Sequence, residues 1–217
     1  MGPDRLHGRP GAAGPPGGFS LIELLVGISM LAVLLGLALP SFSDWMRNNQ
    51  VRSTAETLRE GLQLARSEAL KRNTRVRMQL VSTLDNSCAL SASGPYWVVN
   101  IGSAVSPAGA CGALAGSGTG PNIIQKGPMT AASSKVSIAA LPATAVVAFD
   151  ASGRLSPTLN PTVAAPVPKT QIDIQFPGSA CVVSSGTVRC LRLVVYPAGE
   201  VRMCDPAQTS ATDPTRC

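Results

Sequence analysis

Three kinds of side chain in this sequence could do chemistry: six cysteines, one acid inside a long apolar run, and a group of arginines in the last thirty or so residues. Cys88, Cys111, Cys181, Cys190, Cys204 and Cys217 are even in number, and no two have the C-x-x-C spacing of a zinc or redox site. Disulfide formation is the chemistry open to them. Six cysteines allow 15 connectivities, and two pairs have a physical basis. A two-residue turn centred on Ser185-Gly186 sets Cys181 opposite Cys190 in one hairpin, and Cys88 with Cys111 staples the loop between them. Cys204 and Cys217 then remain to tie down the tail, with free buried thiols as the alternative.

Base catalysis has little to draw on. The only histidine, His7, lies in residues 1–18, a Gly- and Pro-rich stretch too poor in apolar side chains to fold. Beyond it, neither Ser-His nor Cys-His nucleophile activation has its base, and histidine metal ligands are missing. No Walker-type glycine loop occurs. These absences argue against an enzyme, and no cofactor or metal is expected. Arg189, Arg192 and Arg202 belong to a basic chain: without residues 1–18 it has 16 Lys and Arg against 11 Asp and Glu, a net charge of +5. Phosphate contact is the chemistry they offer, and solvated charge is the plainer reading. Alternation along one strand would send Arg189 and Arg192 to opposite faces.

Glu23 is the only ionisable side chain from Phe19 to Leu39. As a helix that run rises roughly 32 Å, close to a bilayer core of about 30 Å. A secretory signal peptide would be shorter and would end in a small-residue cleavage site, which is not seen here. An acid near the start of such a helix costs a few kcal/mol in lipid unless it has a partner. Arg5, His7 and Arg9 keep residues 1–18 on the cytoplasmic side, so that all six cysteines face an oxidising periplasm.

The elements that must position these residues follow from periodicity. Pro40 is expected to kink the helix, after which Val51, Ala55, Leu58, Leu62, Ala65 and Ala69 recur at steps of four and three, an apolar stripe for a globular core. The helix is expected from about Ser20 to about Arg72, with Glu68 placed to pair with Arg72. An alternating strand over Arg75–Val81 follows. Further strands are expected over Tyr96–Ile101, Val136–Leu141, Ala145–Asp150, Thr170–Phe176, Val182–Val183, Val188–Tyr196 and Glu200–Cys204. Tight turns at Ser184–Thr187 and Pro197–Gly199 join the last of them, while Gly102–Gly127 and Ser156–Lys169 read as loops.

Gly18-Phe19-Ser-Leu-Ile-Glu23-Leu-Leu-Val resembles the processing and anchor signature of type IV prepilins. The resemblance implies cleavage between Gly18 and Phe19 by a prepilin peptidase and N-methylation of Phe19. It also implies pairing of Glu23 with the N-terminal amine of a neighbouring subunit. Leu62-Gln-Leu-Ala-Arg-Ser-Glu-Ala-Leu-Lys-Arg-Asn73 resembles the GspH/FimT group of minor pilins and pseudopilins, as does Ala145–Leu155. Together these imply an α+β pilin-like fold: a long N-terminal helix packed on an antiparallel sheet, with disulfides in the loops. The organisation implied is a leader at 1–18, a membrane anchor at 19–40, an amphipathic helix half at 41–73, and a periplasmic sheet region at 74–217 that shares one globular domain with that half. The implied role is structural, as a minor subunit of a type IV pilus or type II secretion pseudopilus, inserted once through the inner membrane and then built into a filament with other subunits. The alternative role is that of a DNA-binding minor pilin used in DNA uptake, since some members of the FimT branch bind DNA and carry a G-R-x-R element. Here Gly199-Glu200-Val201-Arg202 stands in its place, so only Gly199 and Arg202 carry over to that alternative.

Overall fold

Asn73 ends the long helix in the left-handed region, at φ 47°. Its N–H bonds the Leu70 carbonyl and that of Thr74 bonds the Ala69 carbonyl, the double closure by which helices stop at such a residue. In this computed structural model the described residues are 18–101, 106–116, 121–127, 135–157 and 169–217, without the side chains of 37–40. Residues 1–17 and most of the loop expected over Ser156–Lys169 fall outside them, as does the side chain of Pro40, the residue expected to kink the helix. The helix, α1, spans Leu21–Arg72, and the chain divides into two units, Met1–Phe42 and Ser43–Cys217.

In the second unit the expected stripe is the helix face that packs. Val51, Ala55, Leu58, Leu62, Ala65 and Ala69 are all buried in one core. Gly61 sits among them for a steric reason: a Cβ there would lie 2.9 Å from the Trp97 ring, which a Cβ on Gly127 would also strike at 2.7 Å. An interior helical glycine costs about 1 kcal/mol relative to alanine, and here its bare backbone admits an indole that is only 3% exposed.

Eight strands follow among the described residues: β1 (Val76–Val81), β2 (Tyr96–Ile101), β3 (Ile123–Lys126), β4 (Ser137–Leu141), β5 (Val146–Phe149), β6 (Thr170–Gln175), β7 (Leu191–Val195) and β8 (Val201–Cys204). They form two antiparallel sheets of four strands rather than one, ordered β3-β2-β1-β5 and β4-β6-β7-β8. The helix stripe and one face of each sheet share the core, through Met78, Val99 and Phe149 from the first and Ile138, Ile172 and Leu193 from the second. β4 and β6 alternate buried and partly exposed residues, as a sheet with one wet face should. β1 does not alternate, because Arg77 and Gln79 on its other face are also buried. Gln79 Nε2 donates to Asn100 Oδ1 at 2.6 Å, whose Nδ2 donates to the Pro121 carbonyl at 3.1 Å. Burial, followed by the charge of Arg75, pushes the Arg77 guanidinium below its ordinary pKa.

Three local expectations need correction. β3 lies inside the stretch read as a loop, its pairing with β2 interrupted by a bulge after Val99. Val182–Ser184 is a 3-10 turn rather than a strand, and Cys181 meets Val188 in a parallel bridge, not across a hairpin. A Cβ on Gly186 would overlap the Ala180 carbonyl, so the chain curls back on itself too tightly for a two-stranded ladder. β7 consequently starts at Leu191, and Arg189 precedes it.

Candidate functional site

Among the described residues, the first unit opens with those singled out for processing. Gly18, Phe19 and Ser20 are exposed and precede the helix. Nothing lies within 4 Å of where a Gly18 Cβ would be, so packing does not demand a glycine there. Ser20 starts the helix: the Glu23 N–H approaches its Oγ at 3.4 Å and its carbonyl at 3.1 Å. Ser20-Leu-Ile-Glu23 therefore has the spacing of a capping box, a signal readable in the sequence, with the serine half of the box visible in these contacts. Phe19, Leu21, Ile22, Leu24, Leu31 and Leu34 are each between 56 and 83% exposed, and the apolar side chains point to all sides. A helix apolar all round belongs in a core or a membrane. No single helix among the described residues is long and apolar enough to cross a membrane; Leu21–Gly36 and Ser41–Arg72 meet that requirement only as a pair.

In the second unit the cysteines are joined as Cys88–Cys111, Cys181–Cys190 and Cys204–Cys217. The first closes a small satellite core with Val81, Val98 and Ile123. The other two lie at one end of the second sheet, where β6 stops, β7 starts and β8 stops.

The three arginines do not form a free cationic patch. Cross-strand register sets Arg192 opposite Cys204 and Arg202 opposite Val194, so Arg192 and Arg202 share the face away from the core. Arg192 also faces Asp173 on β6 and grips it with two bonds, Nε to Oδ1 at 2.5 Å and a terminal nitrogen to Oδ2 at 3.0 Å. Asp173 raises the Arg192 pKa above its usual value through that hydrogen bond. Arg202 lies 3.8 Å from Glu200, and Arg189 lies 3.8 Å from the buried carboxylate of Asp205. The Arg189 backbone N–H donates to Asn48 Oδ1 on the helix at 2.7 Å. Arg189, Asp205, Asn48, Arg52, Leu191 and Met203 border a cleft of about 350 Å³. No group of three or more His, Cys, Asp or Glu side chains among the described residues could hold a metal ion.

At the other end of the second sheet, the segments that carried the family resemblance converge. Arg66 Nε donates to the Gly153 carbonyl at 3.1 Å, and the Leu155 N–H donates to the Pro197 carbonyl at 3.0 Å. Gly153 and Gly199 have φ of 73° and 83°, and a Cβ on Gly199 would overlap the Gly153 carbonyl oxygen. Gly199 is thus required by backbone approach between two turns, whatever its neighbours do with phosphate.

Residues 54–199 match the family described as type II transport protein GspH. In fold, the chain is similar to the type IV minor pilin FimU of Pseudomonas aeruginosa PAO1, at 18% identity over 77% of this chain and 97% of that one, with a TM-score of 0.46. It is also similar to the minor pseudopilin EpsH from the type 2 secretion system of Vibrio cholerae, at 11% identity over 73% and 99% of the two chains, with a TM-score of 0.42. No curated protein matches the sequence. The family match alone spans well over half of the chain, and the chain belongs to the GspH family.

Proposed function

We propose that this chain is a structural minor subunit of a type IV pilus or a type II secretion pseudopilus. Prepilin peptidase cuts it between Gly18 and Phe19, and the new amine of Phe19 is methylated. Residues 19–40 hold it once through the inner membrane, with 41–73 and 74–217 together forming the periplasmic domain. Assembly replaces lipid around the apolar helix with the helices of other pilin subunits, and Glu23 sets the register by pairing with a neighbour's amine. The observation that carries this reading is an apolar helix exposed on all sides with one acid, four residues beyond an unconstrained Gly18-Phe19 junction. Nothing in the arrangement favours the DNA-uptake alternative, since Arg189, Arg192 and Arg202 each face a carboxylate. Mass spectrometry of the native protein should find a methylated Phe19 as the first residue. Glu23→Ala should be cleaved and inserted but fail to enter filaments. A mature chain that keeps Arg5, or one that begins after Pro40, sinks the proposal.

A further inference from the structure

The segment joining β6 to β7 leaves the second sheet beside Arg47, whose guanidinium lies 5.6 Å from the Phe176 ring centroid. It returns beside Asn48, which accepts the Arg189 N–H. Between these points the Cys181–Cys190 disulfide, the left-handed Ser185 at φ 62° and the contact of Gly186 with Ala180 fix its path. A loop held this way cannot fold over its own apolar residues, and Val182 and Val183 stay 40 and 58% exposed. On the first turn of the helix in the same unit, Trp45 and Met46 are 60 and 45% exposed.

An indole, a thioether and two β-branched aliphatic side chains thus lie exposed on the first turn of the helix in this unit and on the loop tied to it, where the chain enters after the apolar run Phe19–Leu39. Asn48 is five residues, about 7.5 Å, along the helix from Ser43, where this unit begins. A bilayer's polar headgroup layer is on the order of 5–8 Å thick on each side. Tryptophan settles at that level, with its ring in the apolar boundary and its N–H in the wet layer. The nearby cations do not act alone: Arg47 pairs with Asp44 at 3.2 Å and Arg189 faces Asp205. Attraction to negative lipid is therefore weak, and burial of apolar area is the larger driving force.

We propose that this end of the unit, through Trp45, Met46, Val182 and Val183, docks on the surface of a phospholipid bilayer, irrespective of lipid charge. The inference rests on the reading that residues 19–40 cross the membrane. Docking holds the domain against the bilayer until it is drawn into a filament, when the same side chains leave the lipid.

The full chain, methyl-labelled at valine and methionine, can be placed in phosphatidylcholine nanodiscs that contain a nitroxide-labelled lipid. Signals of Val182, Val183 and Met46 should be lost together with those of Val26 and Val33 in the anchor, whereas Val195 and Val201 at the far end keep theirs. Adding phosphatidylglycerol or salt should leave the pattern unchanged. If Val26 and Val33 are lost but Val182 and Val183 persist, the anchor stands and the docking is wrong. Docking that appears only with phosphatidylglycerol overturns the apolar basis proposed. If Val26 and Val33 also persist, the membrane reading itself fails and the docking falls with it.

Discussion

At one end of the second sheet the turns are fixed by glycine backbones in contact, and at the other by sulfur. The Arg66–Gly153–Gly199 clasp joins parts of the chain that are 46 positions or more apart, so it depends on the helix and both sheets holding their places. Cys181–Cys190 and Cys204–Cys217 span 9 and 13 positions, so they shape their loops whatever the rest of the domain is doing. The clasped end therefore tolerates little change in side chain, whereas the disulfide-tied end can leave Val182, Val183 and a charged cleft open to solvent without losing its shape.

That contrast can be broken most directly at Gly199. Gly199→Ala puts a methyl group onto the Gly153 carbonyl at a positive φ, and the expected loss is on the order of 3 kcal/mol, or a fall in Tm of about 6–12 °C. Gly178→Ala is the control, because its φ of 73° is similar but nothing lies within 4 Å of the added methyl. It should lose only about 1 kcal/mol. Equal losses in the two thermal melts would show that no clasp exists. Replacing Cys181 and Cys190 together with serine should cost about 2–3 kcal/mol, mainly through the unfolded chain. Hydrogen exchange should then quicken from 176 to 190 and stay slow at 196–200; quickening at both ends would mean that the two are not independently held. The smallest effect concerns Glu68, beside the clasp on the helix. Its hydrogen bond from Arg72, and then the charges of Lys71 and Arg72, outweigh partial burial and hold its carboxyl below the usual 4.5. Because the folded pKa is the lower one, this contribution is complete above about pH 4.5 and disappears as pH falls through the folded value. Glu68→Gln should therefore lose roughly 0.5 kcal/mol at pH 7, with the gap to the unsubstituted chain closing under acid denaturation at lower pH.

The helix was readable because its stripe is a local repeat and its cap residues stand next to one another. The division into two sheets was not, because β1 pairs with both β2 and β5 while β4 passes over to β6, and alternation within a strand does not name its neighbour. An alternating strand implies one wet face, yet on β1 both Arg77 and Gln79 are buried, and Gln79 meets Asn100 there. Around Cys181, two adjacent valines read as strand, but a ring closed over nine positions and a glycine against Ala180 require a tighter path. At the candidate sites, the sequence told that Glu200 stands beside Arg202 but not that Arg192 and Arg189 have acids too, since Asp173 and Asp205 approach only through tertiary pairing. The Ser20 cap on Glu23 stood in the open, as a serine three residues before a glutamate.

The outermost strands of the two sheets, β3, β5, β4 and β8, have four, four, five and four residues. Margins this short offer an incoming extended chain few amide and carbonyl groups with which to zip up. Open-ended, amyloid-like stacking of one copy on another needs long unpaired edges, and these stunted borders work against it.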